Sequence, residues 1–211
     1  MSFQTFLNLS EIKQNEIIKI GLSEFATKPY NEANTDAITK ACGISKGIIF
    51  HYFKSKKNFY LYILEHCIKK VVLPIDAVMV TGFYEVIFNS MDKKMEIFCK
   101  YPVEVQFINM AAKENNSQIK EEKNKILICY MAQAQKDTLS TFKQALEFLQ
   151  LKSQVDKEKI LKAISLYVNA IIMRYLEMYK DKPQDFFENR AIIKIEIKEY
   201  INFMLHGIAE E

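Results

Sequence analysis

The sequence predicts an all-α protein: a small N-terminal domain of three helices containing a helix-turn-helix, followed by a larger helical domain, about nine helices in all. Three observations predict it. Only 5 Gly and 4 Pro punctuate 211 residues, too few for many short strands with turns between them. Apolar residues recur at spacings of three and four along most of the chain. No period-2 run bounded by turn residues appears, nor any internal repeat or low-complexity tract. With 49% hydrophobic and 26% charged residues, the chain has the balance of a folded globular protein.

Taken in order, Ser10 caps a first helix that carries Ile18, Leu22 and Phe25 on one face and stops before Pro29. A short helix follows from about Thr35 to Cys42, with Asn34 as its cap and Gly43 as its break. Ser45 caps another short helix through about Tyr52, and Ser55 opens a fourth. Longer helices are predicted near 83–100, 103–114, 117–149, 156–181 and 185–207, with breaks at Pro102, Asn115-Asn116-Ser117, Ser153 and Pro183. The expected division is 1–55 and 56–211, without a flexible linker.

The segment NTDAITKACGISKGIIFHYFKSKK, residues 34–57, is the most informative. Two short helices joined by a tight turn would pack through Ile38, Ala41, Ile44, Ile49 and Phe53, Ala41 being small enough for a close crossing. If Ile49 and Phe53 point inward, then at 100° per residue Gly47, Ile48, Phe50 and His51 point outward. A solvent-facing helix with that surface makes physical sense if it meets DNA. Gly47 lets the backbone approach, N–H groups after Ser45 face a phosphate, and Ile48 reaches a thymine methyl. The plainer alternative is that Ile48 and Phe50 are bundle core and the lysines a solvated face. The first 60 residues hold eight lysines against five acidic residues, which accounts for the whole formal charge of +3; three of those lysines sit in residues 54–57.

The run EIIKIGLSEFATKPYNEANTDAITKACGISKGIIFHYFKSKKNFYLYIL resembles the DNA-binding domain of the TetR (tetracycline repressor) family. The resemblance rests on Ile17-Ile18, Leu22, Phe25 and Ala26 of the first helix, Tyr30 after it, Gly43-Ile44-Ser45-x-Gly47, the aromatic-x-Tyr-Phe run at 50–53, and Ser55-Lys56. It implies a DNA-binding transcriptional regulator, not an enzyme, that acts as a repressor on a palindromic double-stranded operator. DNA contacts carry over to Thr35, Ser45, Lys46, Gly47, Ile48, Phe50, His51, Tyr52 and Lys56. The chain departs from the family pattern at Phe50, often Tyr, at Tyr52, commonly His, and at Pro29, usually Gly.

For the larger domain the resemblance implies an effector pocket and a homodimer interface, with no cofactor and no metal. A mostly hydrophobic small molecule is the expected effector, lined by Phe83, Tyr84, Phe88, Phe98, Phe107, Met110, Tyr130 and Met131; each of these also suits an ordinary core. The last two helices present Leu161, Ile164, Val168, Ile171 and Tyr175, and Ile193, Ile197, Ile201 and Met204, at interface spacing. Part of each stripe can equally be intramolecular core. The alternative function keeps the DNA domain and gives the larger half a protein partner.

Cys42, Cys67, Cys99 and Cys129 form no C-x-x-C pair and read as small buried apolar residues; the three histidines show no ligand spacing with them. No G-x-S-x-G, P-loop, G-x-G-x-x-G or H-E-x-x-H occurs. The most apolar stretch, 71–88, is broken by Pro74, Asp76, Gly82 and Glu85, which disfavours a membrane span, and no leader pattern opens the chain. The expected location is the cytoplasm.

Overall fold

In the computed structural model, residues 3–72, 81–179 and 182–206 are described, and every element among them is a helix. In chain order these are α1 (Gln4–Leu7), α2 (Glu11–Phe25), α3 (Thr35–Ala41), α4 (Lys46–Phe53), α5 (Lys56–Val71) and α6 (Phe83–Lys100). Then come α7 (Pro102–Lys113), α8 (Lys120–Leu146), α9 (Lys157–Met178), α10 (Pro183–Glu188) and α11 (Arg190–His206). None is long and apolar enough to cross a membrane; residues 73–80 of the apolar stretch lie outside the described residues.

The all-α expectation holds, with two short helices beyond the nine expected. α1 is too brief to show a period. α10 arises because Pro183 opens a helix where a break was expected: its fixed φ and missing N–H suit a first-turn position. Pro102 opens α7 in the same way. Asn189 then separates α10 from α11, its side chain turning back to donate to the Asp185 carbonyl at 2.7 Å. α8 is shorter than expected, about 40 Å at 1.5 Å per residue. Its start is delayed to Lys120 by an Asn116 turn, in which Asn116 Oδ1 accepts from the Gln118 N–H at 2.9 Å.

The chain forms two compact units. Unit 1 comprises Met1–Pro74 and Ile97–Gln133; unit 2 comprises Ile75–Glu96 and Ala134–Glu211. In unit 1, α5 packs against α2, α4 and α7. Phe25, Ile38, Ile49, Phe53, Phe59, Ile63, Leu64 and Phe107 are buried together there. Gly21 permits the α2–α5 approach, since a Cβ on it would lie 2.6 Å from both Ile63 Cδ1 and Phe59 Cζ. In unit 2, α9 packs on α11, and α10 closes against both. Ile164, Val168, Ile171, Ile193, Ile197 and Ile201 are buried there with Phe83, Ile87 and Met91 of α6. Tyr84 donates to Asn202 Oδ1, and Lys194 pairs with Asp92.

The cysteines divide. Cys42 and Cys67 are buried, as expected, and burial pushes the Cys67 thiol up to about 12. Cys99 and Cys129 are exposed, against expectation, because each falls on the outer face of its helix.

Candidate nucleic-acid interface

Helix α3 begins at Asn34, whose Oδ1 accepts from the Asp36 N–H at 2.8 Å. It ends in a Schellman turn. The Ile44 N–H donates to the Thr39 carbonyl, and the Gly43 N–H to that of Lys40. The turn needs a left-handed residue, which Gly43 supplies at φ +62°. Lys13 of α2 reaches over and donates to the Cys42 carbonyl at 3.0 Å, tying down the same turn. No sequence pattern announces that bond, since donor and acceptor lie 29 residues apart.

Helix α4 leaves this turn with Ile49 and Phe53 fully buried, as the helical wheel predicts. Gly47 and His51 are exposed, and Ile48 and Phe50 are half-buried. Ala41 was expected in the contact with α3, but it is exposed. Cys42 takes its place, 3% exposed, because it stands four residues after Ile38 and so shares its face. Ile44 is half-buried.

The start of α4 differs from its neighbours. Ser10, Asn34 and Ser55 each cap their helices with a side-chain oxygen, whereas Ser45, also at a cap position, makes no side-chain cap hydrogen bond. No acidic residue occupies the first turn of α4. The exposed Ser45 thus stands beside the uncapped first turn of α4, an arrangement suited to a phosphate. A carbon built on Gly47 would meet only Ser45 Oγ, at 3.9 Å, so the flank is open.

The remaining expected contacts are dispersed. Thr35 is 9% exposed at the head of α3. Tyr52 is half-buried, its ring 5.8 Å from both Phe6 and His51. Lys46 begins α4, but its side chain lies outside the described residues. The lysines of residues 54–57 do not act as one basic cluster. Lys54 is exposed, in a left-handed conformation at φ 66°. Lys56 sits 4.7 Å above the Tyr30 ring and donates to the Asn31 carbonyl at 3.4 Å. Lys57 pairs with Glu122 of α8.

A second feature hidden in the sequence is the anchoring of the α2–α3 loop. Glu24 accepts from the Asn34 N–H and from Lys28, each at 2.8 Å. From the α7–α8 corner, Glu114 Oε2 accepts from the Tyr30 N–H at 2.9 Å, and Asn116 donates to Asn31. Burial alone would raise the Glu114 carboxyl. Hydrogen bonds from the Tyr30, Asn116 and Asn115 backbones and the Lys123 charge outweigh it, leaving the group below its ordinary value. A carboxylate held low contributes stability at neutral pH that is lost as pH falls from the ordinary carboxylate value through the folded one. Wild-type protein should therefore lose more stability between pH 7 and about pH 3 than Glu114→Gln, measured by urea midpoints at each pH. Equal losses would detach Glu114 from the loop.

The residues expected to line an effector pocket fall into both units. Phe83 is buried in unit 2, with Tyr84 and Phe88 half-buried beside it. In unit 1, Phe107 is fully buried, Met110 and Tyr130 are half-buried, and Phe98 and Met131 are exposed. The stripe expected at a dimer interface is largely core: Ile164, Val168, Ile171, Tyr175, Ile193, Ile197 and Ile201 are buried within unit 2, and Leu161 and Met204 pack partly against them. Those seven side chains are covered by their own chain. Leu166, Met173, Ile192, Ile195 and Phe203, from the opposite sides of α9 and α11, are more than half exposed. The regular stripe turns inward because α9 and α11 satisfy each other first.

Comparison with known proteins agrees with this geometry. Residues 17–63 match the profile of the family described as bacterial regulatory proteins, tetR family. The transcriptional regulator AcuR of Cereibacter sphaeroides is 32% identical over 56 residues, 26% of each chain. The HTH-type transcriptional regulator YuxN of Bacillus subtilis is 31% identical over 111 residues, 52% of this chain and 38% of that protein. The match thus spans well under half the length of either relative. Among solved structures, the repressor MexZ of Pseudomonas aeruginosa superposes with a TM-score of 0.66 at 14% identity, covering 94% of this chain and 97% of MexZ. A TetR family transcriptional regulator from Chloroflexus aurantiacus gives 0.56 at 18% identity, with coverage of 99% and 98%. At those identities the likeness is one of fold. Residues 17–63 thus match the helix-turn-helix segment of the tetR family of bacterial regulatory proteins, and the chain shares its fold with these solved regulators.

Proposed function

We propose that the protein is a transcriptional repressor that reads a palindromic operator with α4, as a homodimer, and is released by a small, mostly hydrophobic effector. Residues 1–55, with Lys56 at the boundary, would carry the DNA contacts, and 56–211 the effector site and the dimer interface. The observation that carries the DNA reading is α4 itself. Its start is uncapped and its flank at Gly47 is open, while Ile49 and Phe53 fix it rigidly from behind. Lys46 and Lys56 would hold the phosphate backbone, and Lys56 would have to leave or share its place over Tyr30.

The homodimer reading rests on α9 and α11. Leu166, Met173, Ile192, Ile195 and Phe203 expose more large apolar surface than isolated exposed residues explain. A groove of about 370 Å³ runs among Ile192, Ile195, Tyr200 and Phe203, with Glu196 and Glu199 also in its wall. A two-fold repressor needs its two copies of α4 ~34 Å apart, the spacing of successive major grooves.

Selection of genomic fragments by the purified protein tests the reading. Enrichment of a palindromic site supports it, and no enriched site would sink it. The neighbouring genes would then guide an effector screen by thermal shift. Ile195→Glu combined with Phe203→Glu is expected to sediment as a monomer and to bind the selected site at least tenfold more weakly, from loss of the second half-site. A variant that remained dimeric would move the interface elsewhere.

A further inference from the structure

Helix α1 packs on α4. Phe6 is fully buried, its ring 4.8 Å from Phe53, 5.8 Å from Tyr52 and 5.4 Å from Tyr62 of α5. Phe3 adds contacts of 5.4 Å to Phe53 and 5.1 Å to Tyr62. The connection to α2 is held as well: the Gln14 side-chain amide donates to the carbonyls of Leu7 at 3.1 Å and Leu9 at 2.8 Å. α1 thus bridges α2, α4 and α5, with its aromatic side seated under the last turn of α4.

The mechanical consequence follows from the length of α4. Eight residues cannot hold a helix alone in water, so its pose is set by what packs behind it. Its first half is fixed by the Gly43 turn and by Ile49. Its last turn, with His51 and Tyr52, has Phe53 as its only fully buried anchor, and two of the rings around Phe53 come from α1.

We infer that α1 positions the C-terminal turn of the recognition helix, with Phe6 as the positioning residue, and so sets how well the protein distinguishes its operator from other DNA. The inference rests on the DNA reading above. Phe6 itself touches no DNA; it acts through Phe53 and Tyr52. An error in pose degrades base contacts, which need bidentate or close apolar geometry, far more than phosphate contacts, which tolerate displacement.

The test uses the full-length protein as wild type, Phe6→Ala and Phe6→Leu. Ile108→Ala serves as a control that loosens the same buried cluster away from α4. Binding is measured on the fragment selected by the wild type and on a random-sequence duplex, at a temperature where unfolding curves show every variant folded. Hydrogen exchange of the amides of α4 is followed without DNA. Phe6→Ala is expected to bind the selected site about tenfold or more weakly, with binding to random duplex unchanged. Amides of residues 50–53 should exchange faster, and Phe6→Leu should recover most of both effects. Ile108→Ala should lower the unfolding midpoint without changing the ratio of specific to random binding.

If wild type selects a site and Phe6→Ala binds it equally well, the inference is overturned and the DNA reading stands. Parallel loss on both DNAs overturns it too, because that is the signature of general destabilisation. If wild type selects no site, the DNA reading fails and takes the specificity role of α1 with it. Unchanged exchange in α4 would separately remove the mechanical link.

Discussion

Gly47→Glu is expected to abolish binding to the selected operator while leaving the fold as stable as wild type. Gly47 is the second residue of α4, and a Cβ added there would come no closer than 3.9 Å to Ser45 Oγ. Its backbone is not in the left-handed region, which among the described glycines only Gly43 occupies. Removing glycine from a helix gains up to about 1 kcal/mol, and a carboxylate in the first turn suits the helix dipole. Stability should therefore hold or rise. On the DNA side the same carboxylate would stand where a phosphate is proposed to sit. Like charges brought together at an interface cost several kcal/mol, and about 3 kcal/mol already exceeds a hundredfold in affinity. Gly47→Ala separates bulk from charge and should fall between. Anisotropy titrations beside urea unfolding read both effects. If Gly47→Glu still bound the operator tightly, α4 would not be the element in the groove.

Phe53→Ala should be the most damaging single truncation in unit 1. The ring is fully buried among Phe59 at 4.4 Å, Phe6 at 4.8 Å, Tyr62 at 5.3 Å and Phe3 at 5.4 Å. Truncating such a residue costs about 3–5 kcal/mol through lost burial and the cavity left behind. Set against the roughly 5–15 kcal/mol that separates most folded proteins from unfolded ones, that is a large share. Phe53→Leu keeps most of the volume and should cost about half as much. The measurement is the urea midpoint of each variant. A loss below about 1 kcal/mol for Phe53→Ala would mean that the neighbouring rings collapse into the gap, and that Phe53 is not the anchor of α4.

Much of this was legible in the residues. The spacing of Ile38, Ile49 and Phe53 places the buried side of the helix-turn-helix, and all three are at most 1% exposed. Asn34, Gly43 and Ser55 mark helix ends because caps and left-handed turns depend on a few adjacent atoms. Ala41 misled because it faces outward, and Cys42, at the C-cap, completes the face that Ile38 begins. The α1 helix left a faint trace in Phe3 and Phe6, an i, i+3 aromatic pair ahead of the Ser10 cap, too short to register as periodicity.

Charges and stripes were less legible. Lys56 and Lys57 look like one basic run, yet Tyr30 and Asn31 hold the first and Glu122 the second. The apolar stripes of α9 and α11 were visible; that they cover each other, leaving Ile195 and Phe203 outside, was not.

Helix class, helix ends and the inward side of α4 follow from interactions within a turn or two of the chain, and the residue order specifies them directly. Which lysine is already occupied, which stripe is already covered and what braces the recognition helix depend on neighbours tens of residues away. A periodic pattern records that a face must be buried. Only the packed structure says what buries it.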